Sequence, residues 1–159
     1  MELLKEIHRL ALPVPIVGHH LVFLTALLTL WSFVLAVRPG VPAGFVWLLR
    51  LTWAAFAVNT LTGLVLGLAG QKVPSAVAAT PGGRLTVLGQ PVDSSRHLEH
   101  FMYAAFALLT LYAIEVLIAG RVLPRQVGLR FLPVATLFLI GVAYMAVRVA
   151  YLPGATPDA

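Results

Sequence analysis

The sequence predicts an all-α fold, a four-helix transmembrane bundle, on three observations. Hydrophobic residues make up 60% of the 159 positions and charged residues only 11%, with a mean hydropathy of +0.93, whereas soluble domains carry roughly 25% charged residues. Four apolar runs, at about 16–37, 44–70, 95–120 and 128–152, each reach the ~20 residues that a hydrocarbon core of ~30 Å requires. Short turns, RPGVPAG and GRVLPRQVG, join the first run to the second and the third to the fourth, so the runs pair as two antiparallel hairpins. One integral membrane domain, 1–159, is expected in a lipid bilayer.

The opening, MELLKEIHRLALPVP, has Glu2 and Glu6 ahead of its apolar positions and no small-residue cleavage site, so it does not read as a cleavable signal. It predicts a short interfacial amphipathic helix with Leu3, Leu4, Ile7, Leu10 and Ala11 on its apolar side, ended by Pro13 and Pro15. The first run then carries His19 and His20 at its start. The second carries Asn59, Thr62, Gly63, Gly67 and Gly70. Gly63 and Gly67 form a small-xxx-small pair, which lets a helix or a flat ring approach the backbone. The connection 71–94 is the sizeable polar segment, with RLTVLGQPV readable as a small β-hairpin. Asp93, Ser94 or Ser95 is a natural N-cap for the third run.

The basic excess, 11 Lys and Arg against 6 Asp and Glu, is spread over loops and helix ends, which speaks for membrane orientation and against nucleic-acid binding. Arg38, Arg50, Arg121, Arg125 and Arg130 gather on the side of the short turns, and acids mix with bases on the other side. The positive-inside rule therefore puts the short turns in the cytoplasm and both termini and the 71–94 loop outside, as in a multi-pass cytoplasmic-membrane protein. With no cysteine in the chain, thiolate metal sites, iron–sulfur clusters and covalent haem attachment are excluded.

Ionisable residues inside apolar runs carry the functional signal. His97, His100, Ala104, Leu108, Leu111 and Glu115 share one stripe of a helix and should face protein. For Glu115 the expected partner is Arg121 or Arg125. Ala26 to Trp31, ALLTLW, matches Ala107 to Tyr112, ALLTLY, at an offset of 81 that also superposes His19 on His100. This weak repeat points to a pseudo-two-fold bundle with two imidazoles face to face.

Imidazoles from two helices can hold a haem iron. The expected ligands of a b-type haem are His19 and His100, with His20 and His97 as substitutes. Arg148, on one face with Tyr144 and Tyr151, would pair with a propionate. The alternative is an outer-face copper or zinc site on His97 and His100, with His19 or His20 and with Glu99 or Met102 nearby. A further alternative gives the histidines a structural role in a non-catalytic accessory or assembly subunit. No H-E-x-x-H, nucleophile elbow or phosphate loop supports hydrolysis.

The segment Ile7 to Val17, IHRLALPVPIV, resembles the opening of a family of uncharacterised bacterial four-span membrane proteins that begins His, Pro, Leu, two apolar residues, Pro, Phe, Pro, Ile. His8, Leu10, Pro13, Pro15 and Ile16 keep that order, with Arg9 in place of the usual Pro and Val14 in place of Phe. Gly63 or Gly67 resembles the family's late glycine of the second span, and His97 or His100 its histidine opening the third. The resemblance implies a four-helix membrane domain that can accompany redox modules, and it supplies no activity. It points to His8 where the repeat points to His19. His8 precedes two prolines and is expected to lie too shallow to reach the bundle centre. The sequence thus predicts a membrane-embedded haem b electron carrier working with other membrane subunits or an outer-face redox partner.

Overall fold

The computed structural model describes residues 2–8, 19–38, 40–71, 73 and 94–151, and among these the regular structure is helical. In chain order the helices are α1 (Glu2–His8), α2 (His20–Ala36), α3 (Ala43–Leu68), α4 (Ser94–Ala119) and α5 (Arg125–Tyr151). Three of them, α3, α4 and α5, are long and apolar enough to cross a membrane, and α2 is a shorter apolar helix of 17 residues. The expected β-hairpin, the Pro13 and Pro15 break and Asp93 lie outside the described residues.

Consecutive helices from α2 to α5 touch, and α5 returns to α2, so the four helices close a ring, with α1 laid on α3. The contacts are uneven. α5 packs along both α2 and α4 and is 44% buried over its apolar window, against 22% for α3 and for α4. The core is apolar, with Leu28, Leu35, Phe45, Leu49, Leu111, Ile114, Leu129, Leu132 and Leu139 all at 0 or 1% exposure. Their partners on the outer face are large apolar residues as well, among them Trp47, Leu61, Leu98, Leu109 and Val134. A helix apolar all round suits a lipid bilayer, where the outer face is buried too.

Local chemistry fixes the helix ends. α3 stops in a Schellman turn: Gly70 sits at φ 87°, its N–H donates to the Gly67 carbonyl (3.1 Å), and the Gln71 N–H donates to that of Leu66 (3.0 Å). α5 starts after Pro124, whose carbonyl accepts from Val127 (2.8 Å) and Gly128 (3.0 Å). At Gly128 the helix presses on the main chain of α4, and a Cβ there would run into the carbonyl group of Leu117.

Between α2 and α5 runs a seam of hydroxyls that the sequence analysis did not single out. Thr29 donates to the Thr25 carbonyl in its own helix (2.8 Å) and to the Thr136 carbonyl across the seam (3.0 Å). Ser32 Oγ lies 2.8 Å from Thr136 Oγ1. All three are buried. A hydroxyl on a helix can return its proton to a carbonyl one turn back, so it enters an apolar interface already satisfied.

Candidate functional site at the histidine end

The stripe predicted on α4 faces protein: Leu111 is buried, and His97, His100, Ala104, Leu108 and Glu115 are partly buried. Leu98, Met102, Phe106, Leu109 and Tyr112, on the other side of the helix, are exposed. The histidines of α1, α2 and α4 come together at the α4 N-terminal end of the bundle. Their centre is His8, the residue expected to lie too shallow.

His8 closes α1 and turns into the groove between α3 and α4. Its Nδ1 lies 3.1 Å from the Asn59 carbonyl oxygen and 3.1 Å from Thr62 Oγ1. Thr62 already donates to the carbonyls of Val58 (2.9 Å) and Asn59 (3.0 Å), so it acts as an acceptor here. Both partners of Nδ1 accept, which makes Nδ1–H the donor and Nε2 the nitrogen that carries the lone pair. The Asn59 amide donates in turn to the His8 carbonyl (3.2 Å). A Cβ on Gly63 would come 2.8 Å from His8 Cε1, so the missing side chain makes room for the ring. At Gly67 the neighbours are Phe101 Cζ at 3.1 Å and His97 Nε2 at 3.2 Å. The two glycines accordingly face rings, as their spacing predicted.

His100 reaches the other side of the same groove. Its ring centroid is 6.0 Å from that of His8, and its Nδ1 lies 3.1 Å from the Ala146 carbonyl oxygen on α5. A carbonyl can only accept, so His100 is likewise the Nδ1–H tautomer. His97 stands edge-on to Phe101 with centroids 4.9 Å apart.

His19 takes a different part. It caps α2 from an extended conformation (φ −93°, ψ 130°), its Nδ1 accepting the Leu21 N–H (3.4 Å) and its Nε2 donating to the His8 carbonyl (3.5 Å). Both nitrogens are engaged by main-chain atoms, which counts against its expected role as an axial ligand. His20 stacks on it with centroids 4.5 Å apart. The repeat that equates His19 with His100 is therefore not mirrored in their surroundings: one precedes its helix as a cap, and the other sits within the second turn of α4.

Arg148 does not join the cluster. The buried face of α5 at this end is Val142, Ala143, Ala146 and Val149, whereas Tyr144 and Arg148 are exposed. At about 100° per residue, Arg148 lies roughly 200° round the helix from Ala146. Glu115 pairs with Arg50 of α3 (3.1 Å), not with Arg121, just past the end of α4, or Arg125, the first residue of α5, both of which are exposed. The alternative copper or zinc set is not assembled: Glu99 and Met102 are on the exposed face of α4, and no group of three metal-capable side chains occurs among the described residues.

A small cavity of about 20 Å³ lies where all five helices meet, lined by His8, Leu21, Asn59, Gly63, His100 and Ala146 among others. That volume holds a water molecule. The donors suit a haem iron, since imidazoles that bind metal commonly hand their other N–H to a carbonyl. The space does not, because pockets for organic ligands run to ~300 Å³ or more. Set against known protein families, curated proteins and solved structures, the chain matches none.

Proposed function

We propose that the chain is a multi-pass protein of the cytoplasmic membrane, with four spans in two antiparallel hairpins, acting as a non-catalytic subunit or assembly partner of a larger membrane complex. The observation that carries this reading is the use of the histidine rings. Nδ1 of His8 ties α1 to α3, Nε2 of His19 ties the start of α2 to α1 while its Nδ1 caps α2, and Nδ1 of His100 ties α4 to α5, through main-chain carbonyls and an amide. An imidazole in an apolar bundle needs such partners, and here they form a clamp that ties the N-terminal helix to the bundle. The apolar outer faces of α3 and α4 suit lipid or the spans of a neighbouring subunit.

Orientation follows from the arginines, with the turns near Arg38 and Arg121 cytoplasmic and the histidine end outside. The chain has no native cysteine, so single cysteines placed at Ala43, Ser75 and Gln126 report sidedness directly. An impermeant thiol reagent on intact cells should label the Ser75 position alone. Labelling of the other two would reverse the orientation.

Haem b electron transfer is the second reading, favoured by the Nδ1–H tautomers of His8 and His100, and it requires the groove between those rings to open. An absorption spectrum of protein expressed with ample haem separates the two readings. A colourless protein supports the subunit role. A low-spin haem spectrum that is lost in His100→Ala replaces it with the redox role.

A further inference from the structure

A groove of about 330 Å³ lies at the opposite end of the bundle from the histidines, where α2 turns into α3. That volume reaches the ~300 Å³ at which pockets take organic ligands. Its wall is apolar, with Trp31, Val34, Leu35, Val41 and Pro42, and its charged lining residue is Arg38. Trp31 is held against α3: a Cβ on Gly44 would come 2.8 Å from its Cη2, and Phe45 stands edge-on to it with centroids 6.0 Å apart. The indole is thus a fixed part of the wall.

The groove lies inside the level at which α5 begins. From the contact of Ser32 with Thr136, α2 runs on only ~6 Å to Ala36, whereas α5 runs ~16 Å to Arg125. Apolar side chains are left open there, Val34 at 41% and Val37 at 85% exposure. In a bilayer they meet acyl chains rather than water.

Charge completes the description. Arg38 is exposed, and among the described residues no carboxylate pairs with it, whereas Arg50 has Glu115. The positive end of α3 adds to it, since the N-cap is Pro42, which offers the first-turn N–H groups no side-chain bond, and that turn contains no acid. A groove apolar along its wall and cationic at its charged point fits an amphiphile with one negative charge. A choline headgroup would bring a second cation against Arg38. A glycerol headgroup leaves the phosphate charge free to meet it.

We propose that this groove binds an acyl chain of an anionic phospholipid, with the lipid phosphate at Arg38 and the start of α3. The site rests on α2 lying in the bilayer, as in the four-span reading, and not on the subunit role or the orientation.

Trp31 is the reporter. With Trp47→Phe and Trp53→Phe it is the remaining indole of the chain, and bromine on an acyl chain quenches an indole by contact. Brominated phosphatidylglycerol in plain phosphatidylcholine vesicles is compared with the converse mixture. The glycerol lipid should be preferred roughly 5-fold, the worth of one basic residue beside anionic lipid. Arg38→Gln should abolish the preference and Arg38→Lys should keep most of it. Arg125→Gln, an exposed arginine of the same end outside the groove, should leave it unchanged.

Equal quenching by the two lipids overturns the site and leaves the four spans standing. Absence of quenching by either overturns both, because Trp31 then lies outside the bilayer. A preference that survives Arg38→Gln, or that Arg125→Gln removes, also overturns the site. Excess glycerol phosphate, the headgroup without chains, should change nothing. If it relieves the quenching, the groove reads free phosphate and the lipid assignment falls. On the unaltered chain, native mass spectrometry from mixed micelles should show one retained phosphatidylglycerol, and retention of both lipids alike overturns the proposal.

Discussion

Two parts of this bundle bury polar side chains in apolar surroundings and satisfy them by different means. Along α5, where it meets α2, the polar groups are the hydroxyls of Thr29, Ser32 and Thr136, each bonded to a carbonyl of its own helix one turn back as well as across the seam. At the histidine end they are imidazoles, and His8 and His100 reach carbonyls 51 and 46 positions away in sequence. The first arrangement survives small shifts between helices, because each hydroxyl keeps its local partner. The second depends on four helices, α1, α3, α4 and α5, holding their places. Packing follows the same division, since α5 is the most buried of the long helices and the histidine end encloses the small cavity.

If that contrast is right, adding one methyl group should cost far more along α5 than at the cluster. Gly128→Ala drives a Cβ into the Leu117 main chain, which cannot move without moving α4. A loss of about 3 kcal/mol is expected, the upper end of overpacking costs. Reversible unfolding in detergent, followed by circular dichroism, measures it. A loss under about 1 kcal/mol would mean that α4 and α5 are not in backbone contact.

Gly63→Ala is the matching change at the histidine end. Its Cβ meets the ring of His8, which can swing aside at the cost of its bonds to Asn59 and Thr62. The expected loss is about 1 kcal/mol, accompanied by faster hydrogen exchange in α1. Unchanged exchange there would place His8 away from Gly63 and break the contrast at its second term.

The difference between the regions also decides what could be foreseen. Helix positions were legible because each apolar run is long: the expected runs 44–70, 95–120 and 128–152 correspond to α3, α4 and α5 within a few residues. The inward stripe of α4 was legible for the same reason, since a 3.6-residue period over five turns leaves one face for His97, His100 and Glu115. What was not legible is which long-range neighbour each polar group meets. Nothing near His8 in sequence signals Asn59, Thr62 or Gly63, and two nearby prolines argued for a shallow position. Arg148 was misplaced because its stripe with Tyr144 has a helical period as good as that of the true inner face. That inner face is marked by the small residues Ala143 and Ala146, which pack closely without any chemical signal. The hydroxyl seam was passed over because threonine and serine in an apolar helix carry no charge to attract notice.

A double-mutant cycle on Ser32→Ala and Thr136→Val sharpens the comparison from the other side. The two hydroxyls are 2.8 Å apart and buried, yet each has an intrahelical carbonyl to fall back on. Their coupling should be only ~0.6 kcal/mol, the average for such pairs between membrane helices. Coupling above ~2 kcal/mol would show that the seam, like the histidine end, depends on its cross-helix bonds.

The smallest effect belongs to the Arg50–Glu115 pair, which links α3 to α4 at some distance from the cluster. Its N···O distance of 3.1 Å is short, but the Arg50 side chain is 63% exposed and that of Glu115 29%. A pair this open is weakened by solvent and by the freedom its side chains give up, so the cycle Arg50→Ala with Glu115→Gln should return no more than ~0.5 kcal/mol in detergent. Salt gives the sharper reading. At ~1 M ionic strength the screening length falls to ~3 Å, and an exposed pair should lose most of its coupling. If the coupling instead exceeds ~2 kcal/mol and resists salt, both charges are shielded from water, and the α3–α4 contact is as closed as the faces of α5.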